Sequence, residues 1–243
     1  MKDTLRWDLL YIWDNLLEAL KKCASLGHGC LRALGIDAWN VDFGLLDASG
    51  ELLYNPISYR SPVRSQVMEG IKALIEEQTL YSLTGIGYLP ITGLARLLQL
   101  RLDHPNLFSG QACCYLPLPD LLRYFLTGRK NIEETILWGT QLADIRTRDL
   151  SDQLLDLFQL PSDLFPSRIP SGKHLGEVLP EVEDGTGIES VPVVSVAGHD
   201  TISALVSAAG LGQEVALLCT GTWFILGKLL QAPITEPYAL RKG

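Results

Sequence analysis

Near the carboxyl end, the β-branched run Val191–Val196 gives way to Gly198-His199-Asp200-Thr201 and then to the small and apolar stretch Ile202–Ala209. The first run suits a buried, pleated strand and the last suits a helix, so the chain crosses from strand to helix through a polar junction. Polar groups at the carboxyl end of a strand belong to α/β architectures, in which ligands gather at that edge. The amino end carries the same alternation. Leu9, Ile12, Trp13, Leu16, Leu17 and Leu20 recur three and four apart and predict an amphipathic helix ending near Gly27. Leu31–Leu46 reads as two strands, Ser49-Gly50 as a tight turn and Glu51–Tyr54 as the returning strand of a hairpin. The predicted fold class is α/β.

The middle is helical. Met68, Ile71, Leu74 and Ile75, then Leu94, Leu97 and Leu98, then Leu121, Leu122 and Phe125 keep helical spacing, with Gly128 as a C-terminal cap. Ser151 is placed to cap a helix carrying Leu154, Leu155, Leu157 and Phe158, and Pro161 stops it. Residues 161–190 hold repeated prolines and glycines and read as a long surface excursion. Val215–Leu218, the turn Thr220-Gly221-Thr222 and Trp223–Leu226 predict a second hairpin. No internal repeat is present.

At 243 residues, 47 % apolar, the chain can bury a full core. A net charge of −8 is a poor match for a phosphate backbone or an anionic bilayer, so neither nucleic acid nor a membrane is an expected partner. Lys2, Asp3, Arg6 and Asp8 interrupt any apolar export signal, and five cysteines without a C-x-x-C pair fit buried thiols in a reducing cytoplasm. His28, His104, His174 and His199 are scattered, so no metal site is expected. Walker-type, G-x-G-x-x-G and G-x-S-x-G motifs are absent, and nothing pairs Cys113 or Cys114 with a histidine.

Three places can carry chemistry. Asp200 stands at a strand-to-helix junction, where a carboxylate serves either as a helix cap or as a general base toward a sugar hydroxyl. Thr220-Gly221-Thr222 offers backbone and hydroxyl donors to phosphate oxygens, or is ordinary hairpin chemistry. Gly35–Phe43 concentrates Trp39, Asn40 and other polar residues at a break between strands, where an indole can face a sugar ring or simply pack. Tyr59-Arg60 and Arg64 are lesser candidates for anion contact, with surface solvation as the alternative.

In series these segments resemble the first half of an FGGY-family carbohydrate kinase, on its rhamnulose-kinase branch. The resemblance is carried by GIDAWNVDFGLLDASGELL at 35–53, TGIGYLPITGL at 84–94, LPDLLRYFLTG at 118–128 and Thr140-Gln141-Leu142. Its most specific pieces are PVVSVAGHDTISAL at 192–205 and TGTWFILG at 220–227. It implies an actin-like, ribonuclease H-like mixed sheet with flanking helices, and ATP-dependent phosphorylation of a ketose with Mg2+. Asp200 then corresponds to the general base, Trp39, Asn40, His199 and Thr201 to sugar contacts, and Gly221 and Thr222 to nucleotide-phosphate contacts. Asn40 stands where rhamnulose-type kinases carry a sugar-contacting glycine, and Ser61 where an acidic residue usually follows the arginine. Residues 1–243 are expected to form the first actin-like domain without its amino-terminal phosphate loop, the second domain being absent. Such a chain is expected to be inactive alone, to need a separate chain for the missing domain, or to survive as a non-catalytic remnant that at most binds sugar.

Overall fold

The computed structural model describes residues 4–26, 31–211 and 214–242. Helix α1 (Leu9–Ser25) opens with the Asp8 carboxylate accepting from the Tyr11 N–H at 3.1 Å, and buries Leu9 and Leu20. Leu26 is its C-terminal cap, and Gly27 lies outside the described residues. From residue 31 the chain pairs with the carboxyl-terminal strand region through parallel bridges from Leu34 to Val193 and from Ala38 to His199, and packs Leu31, Leu34 and Ile36 beside Val191 and Val193. The expected continuous strand before residue 40 is therefore reduced to bridges. Val41, at φ 73°, turns the backbone sharply before strand β1 (Phe43–Leu46) begins.

The turn of the first hairpin forms as expected, but the strand expected over Glu51–Tyr54 is reduced to a single bridge from Leu52 to Leu46. Asp47 accepts from the Ser49 and Glu51 N–H groups, Gly50 takes φ 91°, and Leu53 returns to bond Leu45. All four residues of β1 are buried, because its two faces meet different cores. Phe43 and Leu45 point into a cluster built on Leu94, Leu97 and Tyr115, whereas Leu46 meets Leu9, Leu116 and Leu121 on the other side.

Helices α2 (Ser65–Leu74), α3 (Glu77–Thr84) and α4 (Gly93–Asp103) cover the first of these faces. In α2 the buried stripe is Val67 and Ile71, continued by Ile75 just past the helix, while Leu74 is 54 % exposed. The four-residue spacing from Val67 wins over the stripe expected through Met68 and Leu74. Strand β2 (Cys114–Pro117) pairs antiparallel with β1, and α5 (Leu118–Thr127) follows, ending on Gly128 at φ 69°. The expectation of buried thiols is corrected here: Cys114 is buried, its thiol pushed up to about 11 by burial, but neighbouring Cys113 is exposed. Cys30 lies outside the described residues.

Strand β3 (Ile132–Glu133) leads into the single turn α6 (Glu134–Leu137). The short pair β4 (Ala143–Asp144) and β5 (Asp149–Leu150) precedes α7 (Asp152–Leu157), which Ser151 caps as expected and which ends well before Pro161. The segment 161–190 is not a bare excursion. It supplies β6 (Arg168–Ile169), β7 (His174–Glu177) and α8 (Pro180–Thr186), and buries Leu164, Phe165, Leu175, Val178, Val182 and Ile188. Gly172, Gly176 and Gly187 take positive φ, so its glycines shape turns between packed elements.

Strand β8 (Pro192–Val194) pairs antiparallel with β7, with Val191, Val193, Ser195 and Ala197 alternating inward. Helix α9 (Asp200–Ser207) starts after the intervening residues 195–199, and the second hairpin, β9 (Ala216–Thr220) with β10 (Phe224–Lys228), follows in antiparallel register before the short α10 (Pro237–Leu240). The described strands form five two-stranded pairs, four antiparallel and β3–β6 parallel. Among the described residues no helix is long and apolar enough to cross a membrane.

Candidate functional site

Ala38 joins the two halves of the site. Its N–H donates to the Gly198 carbonyl and its carbonyl accepts from the Asp200 N–H, both at 2.9 Å, so Trp39-Asn40 emerge beside His199-Asp200 although the sequence separates them widely. A cleft of about 760 Å³ opens there, and Trp39, Asn40, His199, Asp200, Thr201, Gly221 and Thr222 all line it. The residues assigned to base, sugar and phosphate contacts thus face one space, whereas Arg60 and Arg64 are not part of its lining. Its remaining wall includes Tyr59 and the apolar side chains of Leu89, Ile91 and Ile225.

Asp200 is the first residue of α9, and His199 rather than Asp200 occupies the capping position. The Asp200 carboxylate still serves the first turn of the helix through one oxygen. Its Oδ1 accepts from the Thr201 N–H at 2.5 Å and from the Thr201 hydroxyl at 3.3 Å. Oδ2 has no hydrogen-bond partner among the described residues, and the side chain is 55 % exposed. The helix amino terminus favours negative charge at this position. His199 Nε2 lies 3.4 Å from the same carboxylate, and burial holds the imidazole below its ordinary pKa against the opposing pull of Asp200.

Trp39 presents only its ring. Its indole N–H donates at 2.8 Å to Asp42 Oδ2, which also accepts from the Trp7 indole at 2.6 Å. Asp42 is 2 % exposed, and burial raises its carboxyl pKa despite these bonds. Asn40 is fixed by its Oδ1 accepting from the Val41 N–H at 2.7 Å, and its side chain lies tightly over Gly139. Gly139, Asp42 and Glu133, which organise the site, carry no local sequence signal of that role; Asp42 was visible only as one polar residue of the 35–43 break. Arg60 is exposed beside Tyr59, and Arg64 is spent on a surface ion pair with Asp103.

A Cβ built on Gly221 meets nothing within 4 Å, so the space over the hairpin turn is open. Among the residues lining the cleft there is no lysine or arginine, and among the described residues no three metal-ligating side chains cluster. The Gly221-Thr222 turn offers backbone and hydroxyl donors to phosphate oxygens, but no cationic side chain of the cleft stands beside it to neutralise a triphosphate. What the cleft offers is one solvent-facing carboxylate, an indole face, an amide and hydroxyls, a set suited to a polyhydroxylated molecule.

The family model for the N-terminal domain of FGGY carbohydrate kinases matches residues 1–207. The chain is 34 % identical over 228 residues to the rhamnulokinase of Bacteroides thetaiotaomicron, covering 94 % of this chain and 47 % of that protein. It is 35 % identical over 234 residues to the rhamnulokinase of Mannheimia succiniciproducens, covering 96 % and 46 % respectively. Among solved structures, a ligand-bound xylulose kinase from Lactobacillus acidophilus superposes with a TM-score of 0.85 at 21 % identity, over 98 % of this chain and 48 % of that one. Plasmodium falciparum glycerol kinase with ADP gives 0.81 at 18 % identity, over 93 % and 46 %. The chain spans about half the length of the curated relatives it matches. With its actin-like α/β fold, this chain belongs to the FGGY family of carbohydrate kinases.

Proposed function

We propose that this chain is the sugar-binding half of an ATP-dependent ketose kinase of the rhamnulose type, with Asp200 as the general base. The observation that carries the reading is the convergence of the free Asp200 oxygen with Trp39 and Asn40 in one cleft, imposed by the paired bonds of Ala38. In this reading the ketose lies against the indole face of Trp39, with Asn40, His199 and Thr201 bonding its hydroxyls. Asp200 Oδ2 accepts the proton of the attacking hydroxyl as its oxygen turns nucleophilic. Thr201 holds the other carboxylate oxygen, which keeps Oδ2 aimed outward.

Phosphoryl transfer draws chiefly on groups that position the donor and neutralise its charge. The cleft of this chain contributes Gly221 and Thr222 to that task and no cationic side chain. We therefore place ATP and Mg2+ binding mainly on a separate chain or segment, and expect the chain alone to bind ketose without turnover. Lack of a lysine or arginine in the cleft equally favours a non-catalytic remnant.

Calorimetry with L-rhamnulose and with ATP–magnesium tests the reading. Heat from the ketose and none from the nucleotide is the expected result, and silence with ketoses at millimolar concentration refutes it. Supplying the remaining half of a family kinase should restore phosphorylation, with Asp200→Asn lowering it about 10²–10⁴-fold. Restored turnover indifferent to Asp200→Asn would remove the base. Sugar binding with no restoration selects the remnant.

A further inference from the structure

Glu133 is 0 % exposed, yet its carboxyl gathers more donors than a helix cap needs. Oε2 accepts from the N–H groups of Thr135 at 2.9 Å and Ile136 at 3.3 Å, which caps α6, and from the Thr135 hydroxyl at 2.6 Å. The same oxygen accepts from the Gly198 N–H at 2.9 Å, a residue remote in sequence. Oε1 accepts from the Ser171 hydroxyl at 2.5 Å. From below, the Glu133 N–H donates to both oxygens of Asp120, which is ion-paired with Arg123 inside α5. A rigid buried network thus ends on the backbone two residues before Asp200.

We propose that Glu133 is the positioning residue for Asp200. It fixes Gly198 from one side while Ala38 fixes the Gly198 carbonyl and the Asp200 N–H from the other, so the His199-Asp200 pair can neither slide nor lift. Gly198 is close-fitted to this role: a Cβ there would meet Ile136 at 3.2 Å and the Glu133 carboxyl at 3.4 Å. An orienting side chain of this kind matters because small misplacements of a reacting group are costly in rate. The inference rests on the reading of Asp200 as the base of a sugar cleft.

The test compares Glu133→Ala, Glu133→Gln and Thr135→Val with Ser151→Ala, which removes the cap of α7 at a residue that does not line the cleft. The readouts are the His199 titration followed by NMR and the L-rhamnulose affinity from calorimetry. Burial holds the His199 imidazole down, and Asp200 is the charged group against it, so a loosened segment raises its pKa toward the ordinary value. Glu133→Ala is expected to produce that rise and to weaken ketose binding about tenfold or more. Glu133→Gln is expected to restore both, since its amide oxygen can accept from Gly198 while its NH2 donates to the Ser171 hydroxyl. Thr135→Val, near-isosteric with the native residue, is the variant to read if Glu133→Ala does not fold, and should shift His199 in the same direction by less, because the Thr135 hydroxyl also accepts from Gly198 at 3.1 Å. Ser151→Ala should move neither readout. An unmoved His199 titration in folded Glu133→Ala or Thr135→Val overturns the proposal, as does a failure of Glu133→Gln to restore it. A wild-type chain that binds no ketose removes the sugar reading instead, and the His199 titration still decides the role of Glu133.

Discussion

Replacing Gly139 by alanine drives a methyl group into Asn40. A Cβ at residue 139 falls 2.0 Å from Asn40 Oδ1, 2.2 Å from Nδ2 and 2.3 Å from Cγ, so the whole side chain must swing away. Swinging breaks the 2.7 Å bond to the Val41 N–H, which supports a residue held at φ 73°. Overpacking of this kind costs about 1–3 kcal/mol, and the lost hydrogen bond about 0.5–1.5 kcal/mol more. For a chain of this size each kcal/mol lowers Tm by about 2–4 °C. Asn40→Gly should itself cost about 1 kcal/mol, through the same bond and added chain freedom. The double variant Asn40→Gly/Gly139→Ala has room for the methyl group, so urea unfolding should show it more stable than the sum of the single changes by about 1–3 kcal/mol. Additivity within about 0.5 kcal/mol would mean that the two residues do not touch, and the description of that side of the cleft would fall with it.

Asp42→Ala strands the indole N–H groups of Trp7 and Trp39 and should cost about 2–6 kcal/mol in urea unfolding. Asp42→Asn keeps an acceptor for both and should cost far less. The Asp42 carboxyl pKa is raised above its unfolded value by burial, so the native state holds the extra proton as pH climbs from about 4. Its contribution is complete below the unfolded pKa and is lost as pH rises through the folded one. The wild type should therefore lose stability relative to Asp42→Asn as pH rises above about 4, and parallel pH curves would contradict this. In hydrogen exchange, amides of β9 and β10 should exchange faster than those of β1 and β2, since Leu218, Phe224 and Leu226 are 58 %, 77 % and 73 % exposed whereas β1 is buried throughout. Equal protection in the two strand pairs would show that the second is covered.

Features written in consecutive residues were legible in the sequence. The Asp47–Gly50 turn, the Gly128 cap, the Ser151 cap and the 216–228 hairpin depend on local φ values and nearby donors, and each forms where the residue types demand. The strand-to-helix junction at Asp200 was legible for the same reason. Segment 161–190 was misread because prolines and glycines mark turns without revealing that Leu175, Val178 and Val182 between them find a core beside α1 and β8. Residues 31–38 were over-read as strand, since apolar alternation does not supply a continuous partner and only two bridges form there. The second use of Glu133 was hidden because its bond to Gly198 crosses 65 residues, and no spacing rule reaches that far.

The two walls of the cleft are built to different standards, and this difference bears on what the chain can do. Asp200, Trp39 and Asn40 are set by backbone bonds to Ala38 and by buried carboxyls at Asp42 and Glu133, so their geometry is fixed by groups that water cannot reach. Gly221 and Thr222 sit on a hairpin beyond Ser207, where the family model ends, and that hairpin leans on α9, a helix without a single buried residue. Apolar burial contributes about 25 cal/mol per Å², and a strand pair with one apolar face in water forgoes much of that. In the proposed reading, the sugar side is thus preorganised and the phosphate side is not. Since phosphoryl transfer is governed by precise placement of both partners, the proposed function requires that the donor's position be set by a partner packed against Leu218, Phe224 and Leu226.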